Sequence, residues 1–251
     1  ARLYNERTKV YKEIDYIIQK DYLPESIPFK GRSFPYILNI TTGCPWNKLI
    51  RKSLIDEYQL QFMPLHRSND VYFIFMALAL AEKITVVQEV FVNYRQSGSS
   101  LQANNARSPW DWYEALRALK LKFEELQMYE ELRNSFRNLA FGVSIYNLCS
   151  LKSGESFCQV YERMKKEFFE EFDLVDFKEE DCYSYNSKKY EIYRNMMQCT
   201  AGEYLFLEVQ KLKEEKSYWV TRAKNAEKKN QQYSLVKIPV RAARKIWRKL
   251  K

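Results

Sequence analysis

Residues 71–81 run apolar without a break, the longest such stretch in the chain. The polar segment "LHRSND" leads into it. Ser68 stands where a helix N-cap belongs and Asn69 and Asp70 fall in the first turn, so the pattern predicts a helix over 68–81. Upstream, "RLYNERTKVYKEIDYII" alternates apolar and polar positions around a polar turn near residues 5–8, which predicts a β-hairpin. "LPESIPF" is a Pro-punctuated loop and "SFPYILNI" a short helix or apolar turn. "CPWNKLI" is strand-like, "RKSLIDEYQ" a short helix and "LQFM" another short strand. The β-branched content of "KITVVQE" predicts a buried strand, followed by "VFVNYR" as a second strand or extended edge. Residues 96–108 form a polar loop, long for a compact domain.

Beyond that loop the period changes to that of helices. Ser108 is the expected N-cap, Pro109 the first helical residue and Asp111 an acid in the first turn. Trp112, Ala115, Leu116, Leu119, Phe123 and Leu126 form one stripe. Tyr129, Leu132, Phe136, Leu139, Val143 and Tyr146 form a second, which "KSGES" ends. Phe157, Val160, Met164 and Phe168 form a third. An acidic, aromatic connector spans 167–181, and helices resume over 190–197 and 203–229. The expected organisation is α/β and helix-rich: an α/β segment (1–107), an α-helical region (108–202), then a long helix with a basic tail (203–251).

Composition sharpens this picture. Aromatic residues make up 16% of 251, with only six glycines and seven prolines, which fits long helices around a real core rather than a disordered chain. The net charge of +9 is unevenly placed. Residues 220–251 carry eleven Lys/Arg against one acid, Glu227, while the body is close to neutral. A basic end on a neutral body points to an anionic partner such as a membrane surface or nucleic acid. Nucleic acid is the weaker choice, because no fold signature of a nucleic-acid module accompanies the charge. Within 234–251, Leu235, Ile238, Ala242, Ile246 and Leu250 fall three or four apart. Lys237, Arg241, Arg244, Lys245, Arg248 and Lys249 fill the other faces and Trp247 flanks the stripe, the pattern of a basic amphipathic helix lying on a membrane. The five cysteines show no CxxC spacing, so neither a disulfide framework nor a zinc site is expected and reduced thiols are the simpler reading.

Three stretches could carry chemistry. Asp70 at a helix start is held as an anion by the helix dipole and free N–H groups, either as a capping acid or as a catalytic base. His66 stands alone, with no second His to form a metal site, so it is a surface or supporting residue. Trp46, Asn47 and Lys48 combine a ring, an amide and a cation, the mixture that sugars require, although a tryptophan at a strand edge packs in many cores. GxGxxG, P-loop, GxSxG, HExxH and Asp-x-Asp patterns are all lacking in the 251 residues.

The order "PWNKLIRKSLI", then "SNDVYFIFMALALAEKITVVQEVFVNYR", then "SLQA" resembles the acceptor-side half of family 2 glycosyltransferases of the GT-A type, the bacterial kind that build surface polysaccharides. The resemblance covers about residues 1–105 and continues weakly beyond. It implies an inverting transfer of a sugar from a nucleotide-diphosphate donor to a saccharide or lipid-linked acceptor. In such enzymes the second acid of a motif at this helix start is the general base. Asn69 and Asp70 match that motif, with Asn in place of the commoner Glu. Trp46, Asn47 and Lys48 match the pocket lining near the base, with His66 and Asn69 beside it. Tyr94 and Arg95 match the pair on the diphosphate side. These enzymes open with a nucleotide-binding half whose Asp-x-Asp holds Mg²⁺ or Mn²⁺. That half is not seen here, so the chain is expected to be a fragment, inactive alone, with no metal site of its own. The reduced cysteines and the basic amphipathic tail together predict a cytoplasmic protein, peripheral on the inner face of the cell membrane. Association with a second subunit is also open. The rival expectation is a non-enzymatic helical protein whose basic tail binds an anionic membrane or nucleic acid.

Overall fold

The computed structural model describes residues 1–14, 17–87, 89–96 and 108–247, with side chains as far as residue 228 except that of Gln96. The predicted polar loop lies almost entirely outside the described residues. The chain is helix-rich with one small mixed sheet, and it divides into two units, Ala1–Ala201 and Gly202–Lys251.

In the first unit the predicted hairpin forms: β1 (Arg2–Asn5) pairs antiparallel with β2 (Val10–Glu13). The side chain of Asn5 accepts from the Thr8 N–H and closes the turn. β3 (Asn93–Gln96) adds on the other side of β1, parallel to it, with Tyr94 opposite Leu3 and Arg95 opposite Tyr4. The sheet order is therefore β2-β1-β3.

Helix α1 (Lys52–Glu57) is short and exposed, while α2 (Asn69–Leu80) is buried on nearly every side. Phe73, Ile74, Phe75, Met76, Ala77 and Ala79 all lie inside. A helix that is apolar all round must be central, and α2 is. Ile37, Leu38 and Ile40 are buried as well. Gly31 is needed at the end of α2, because a Cβ there would stand 1.9 Å from the carbonyl oxygen of Leu78.

Helices α3 (Asp111–Glu125) and α4 (Tyr129–Cys149) pack as neighbours, and α3 lies against α2, so the described residues before α3 share one compact unit with the helices up to Ala201. The first stripe is buried from Trp112 to Phe123, and the second from Tyr129 to Leu139, after which Tyr146 turns outward. α5 (Gly154–Arg163), capped by the Ser153 hydroxyl, runs into a π-helical stretch over Met164–Phe168 and a last turn, α6 (Phe169–Glu171). The π-helical stretch brings adjacent Phe168 and Phe169 both into the core, with Met164 and Phe172. α7 (Ser187–Gln198) completes the unit. Tyr22, Tyr36, Tyr183 and Tyr185 cluster edge to ring and join the N-terminal loop to the segment before α7. Tyr185 also hydrogen-bonds Asn39, whose amide donates to the Ser135 carbonyl on α4 at 2.8 Å.

Four local expectations are corrected. "CPWNKLI" is a turn, not a strand: Pro45 lacks an N–H, and the Lys48 ammonium draws the carbonyls of Thr42 and Cys44 away from any ladder. "LQFM" is irregular; Leu60 closes the end of α1, and Phe62 stacks outside on Phe73 with centroids 4.4 Å apart. "KITVVQE" makes one bridge among the described residues, Ile84 with Phe29, and Val87 is exposed, because no described strand lies alongside for its β-branched side chains to pack on. Trp110 rather than Ser108 occupies the N-cap position of α3, and Ser108 is buried.

The second unit is one helix, α8 (Ala201–Trp247), whose backbone stays helical to the end of its range. Among the described residues no helix is long and apolar enough to cross a membrane.

Candidate active site

The "LHRSND" boundary is built by backbone geometry. Ser68 adopts φ 55°, a left-handed conformation that lets the loop turn sharply into α2. Its hydroxyl does not cap the helix. The Ser68 carbonyl instead accepts the Val71 N–H at 3.2 Å, and Asp70 stands in the first turn as its acid. The loop is fixed from two sides. Met63 donates its N–H to the Asn69 carbonyl at 3.1 Å, and Arg67 donates its N–H to the Asp111 carboxylate of α3 at 2.8 Å. The acid expected to start α3 thus also holds the segment that carries Asp70.

Across from this helix start lies the turn at residues 42–48. Gly43 lets it approach α2: a Cβ there would stand 3.2 Å from the Phe75 ring. The turn is organised by the Lys48 ammonium, which donates to the Thr42 carbonyl at 2.7 Å, to the Cys44 carbonyl at 2.8 Å and to Asn47 Oδ1 at 2.8 Å. Three acceptors match its three N–H bonds.

Lys48 and Asp70 are electrostatically coupled. Burial pushes the Lys48 ammonium down to about 8, and Cys44 first and the Asp70 carboxylate second oppose that fall. Burial raises the Asp70 carboxyl above its ordinary value, while the two helix-start N–H groups and Lys48 pull it back. The outcome is a half-buried carboxylate, short of hydration yet favoured as an anion by a fixed cation within electrostatic reach. Such a group is more basic than a free aspartate and remains able to accept a proton.

A flat wall flanks this pair in the sequence. Trp46, two residues before Lys48, stacks on Tyr94 of β3 with centroids 5.3 Å apart and planes 16° apart. Both rings are half-buried, so neither belongs to the sealed core. The structure therefore brings Asn47 onto Lys48 and Trp46 onto Tyr94, and places Asp70 within the electrostatic reach of Lys48. His66, Asn69 and Arg95 are exposed, the first two in the loop before α2 and its first residue, the third on β3. Of the tail residues, Lys237, Arg241, Arg244, Lys245 and Trp247 lie on the helical backbone of α8 with their side chains outside the described residues, as are Arg248 and Lys249 altogether.

Sequence reasoning missed the carbonyls of Thr42 and Cys44 and the role of Asp111. Carbonyl ligands leave no residue signature, and Asp111 carried a sufficient local explanation as a first-turn acid. Among the described residues no group of three His, Cys, Asp or Glu side chains could hold a metal ion. Comparison with known proteins returned no matching protein family, no matching curated protein and no matching solved structure.

Proposed function

We propose that this chain is the acceptor side of an inverting glycosyltransferase of the GT-A type, family 2, acting in surface polysaccharide synthesis. The observation that carries the reading is half-buried Asp70 at the start of a central apolar helix, across from the turn that Lys48 organises. Asp70 is the general base. It accepts the proton of an acceptor hydroxyl as that oxygen attacks the anomeric carbon and the nucleoside diphosphate departs. Lys48 keeps the carboxylate ionised before the proton arrives. The stacked face of Trp46 and Tyr94 offers the apolar surface on which a pyranose ring lies, and Asn47 is the amide beside it. Exposed Arg95, next to Tyr94 on β3, suits the diphosphate side.

A divalent ion belongs to this chemistry, but among the described residues there is no donor set for it, so no step here is assigned to a metal. In this reading Mg²⁺ or Mn²⁺ and the donor are held by a nucleotide-binding half supplied outside residues 1–251. The continuous backbone of α8 supports an amphipathic tail that lies on the anionic inner face of the membrane, near a lipid-linked acceptor. The test is nucleoside diphosphate release by the full-length gene product, assayed with a panel of nucleotide sugars and Mn²⁺. Release that rises with a saccharide or lipid-linked acceptor supports the reading; a protein that turns over no donor with any acceptor removes it.

A further inference from the structure

The first half of α8 carries a second, unrelated pattern. Leu205, Val209, Leu212, Trp219, Ala223 and Ala226 recur at alternating intervals of four and three residues, with Lys216 filling the remaining position. All seven are exposed in the single chain. A period of 3.5 residues is that of a left-handed coiled-coil seam, not of a helix lying on a globular surface. In sequence the repeat continues through Asn230 and Tyr233. A helix gains most of its stability from packing one face, and this face has a defined apolar stripe exposed to water.

We infer that residues 205–233 form a parallel, in-register two-stranded coiled coil with a second copy of this chain. The flanking charges identify the occupant. In a parallel pair, each residue just before an a position faces the partner residue five places further on. Glu208 then meets the partner's Lys213, and Arg222 meets the partner's Glu227, opposite signs in both cases. The remaining pair, Glu215 with the partner's Val220, is neutral. Lys216 and Asn230 occupy a positions, where single polar residues fix register and strand number at some cost in stability. The partner's Glu215 lies beside Lys216. In the lone chain Arg222 lies over the Trp219 ring at 5.3 Å, beside the seam, while Glu208 pairs with Lys211 at 3.5 Å, a contact that the interchain pair replaces. Parallel pairing also carries both basic segments, 234–251, to the same end of the coil. The inference is independent of the sugar-transfer reading.

The experiment is sedimentation equilibrium on the chain from about 1 to 100 μM, a range that brackets a coil of this length with two polar core layers. The expected result is a reversible dimer. Leu212→Asp with Trp219→Asp should give a monomer, with the near-ultraviolet circular dichroism of the first unit retained. Lys213→Glu should weaken the dimer roughly fivefold by setting like charges face to face twice, and adding Glu208→Lys should restore it. A chain that stays monomeric throughout the range, or a dimer that survives the double aspartate variant, overturns the proposal. A dimer indifferent to Lys213→Glu overturns the parallel register.

Discussion

Trp46 stacks on Tyr94 across 47 intervening residues, with ring planes 16° apart. The contact joins the 42–48 turn to β3 and so ties the parallel β1–β3 pair to the loop that holds Lys48. An aromatic pair of this kind contributes about 1 kcal/mol beyond the area that it buries. A double-mutant cycle with Trp46→Ala and Tyr94→Ala, read by urea unfolding, should therefore give a coupling of about 1 kcal/mol. A coupling of zero would mean that the rings do not pack on one another in solution.

The Lys48 ammonium gives the site a pH signature. Its value in the fold, about 8, lies below the ordinary 10.5, so between those limits the unfolded chain holds the extra proton. Stability contributed by this group therefore rises with pH across that window. Lys48→Arg, which does not titrate there, should flatten the rise. Turnover should respond in the opposite sense, increasing as Asp70 ionises through its raised value and declining as Lys48 loses its proton near 8. A rate profile whose alkaline limb is unmoved by Lys48→Arg would separate Lys48 from the base.

Residues 1–251 contain no Asp-x-Asp and, among the described residues, no three-ligand cluster. Titrating nucleotide sugars with Mn²⁺ into this stretch alone should give no heat and no thermal shift. Micromolar binding would locate the donor site within these residues and would require a different assignment of Arg95.

The basic tail should bring the chain to anionic vesicles and not to neutral ones, because each cation near anionic lipid is worth ~1 kcal/mol and salt damps the sum. A chain ending at Gln232 should stay in solution. Equal flotation of both chains would remove the tail from membrane binding. Because the truncation also cuts the last core residue of the proposed coil, flotation of the chain with Lys237, Arg241, Arg244, Lys245, Arg248, Lys249 and Lys251 all changed to Gln separates lost charge from lost pairing.

The helical part of the fold was legible because it is governed by local period. Trp112, Leu116, Leu119 and Phe123 are buried on the stripe that their spacing defines. The hairpin was legible for the same reason. The strands expected at "CPWNKLI" and "KITVVQE" were not, since a strand exists only beside another strand, and nothing in either segment says whether a neighbour is available. At the site, the sequence singled out Trp46, Lys48, Asp70 and Tyr94 but could not pair them. The stack of Trp46 on Tyr94 depends on β3 joining β1 in parallel, a long-range event. The Arg67–Asp111 contact was illegible because its donor is a backbone N–H.

The most direct measurement is turnover of Asp70→Asn in the full-length gene product, with donor affinity measured beside it. Asparagine keeps the size of the side chain and can still accept at the start of α2, but it cannot take a proton from a hydroxyl. The account predicts a loss of ~10²–10⁴-fold in kcat with donor binding nearly unchanged, since the carboxylate acts on the acceptor. Near-normal turnover by Asp70→Asn would contradict it and leave Asp70 as a helix-start acid alone.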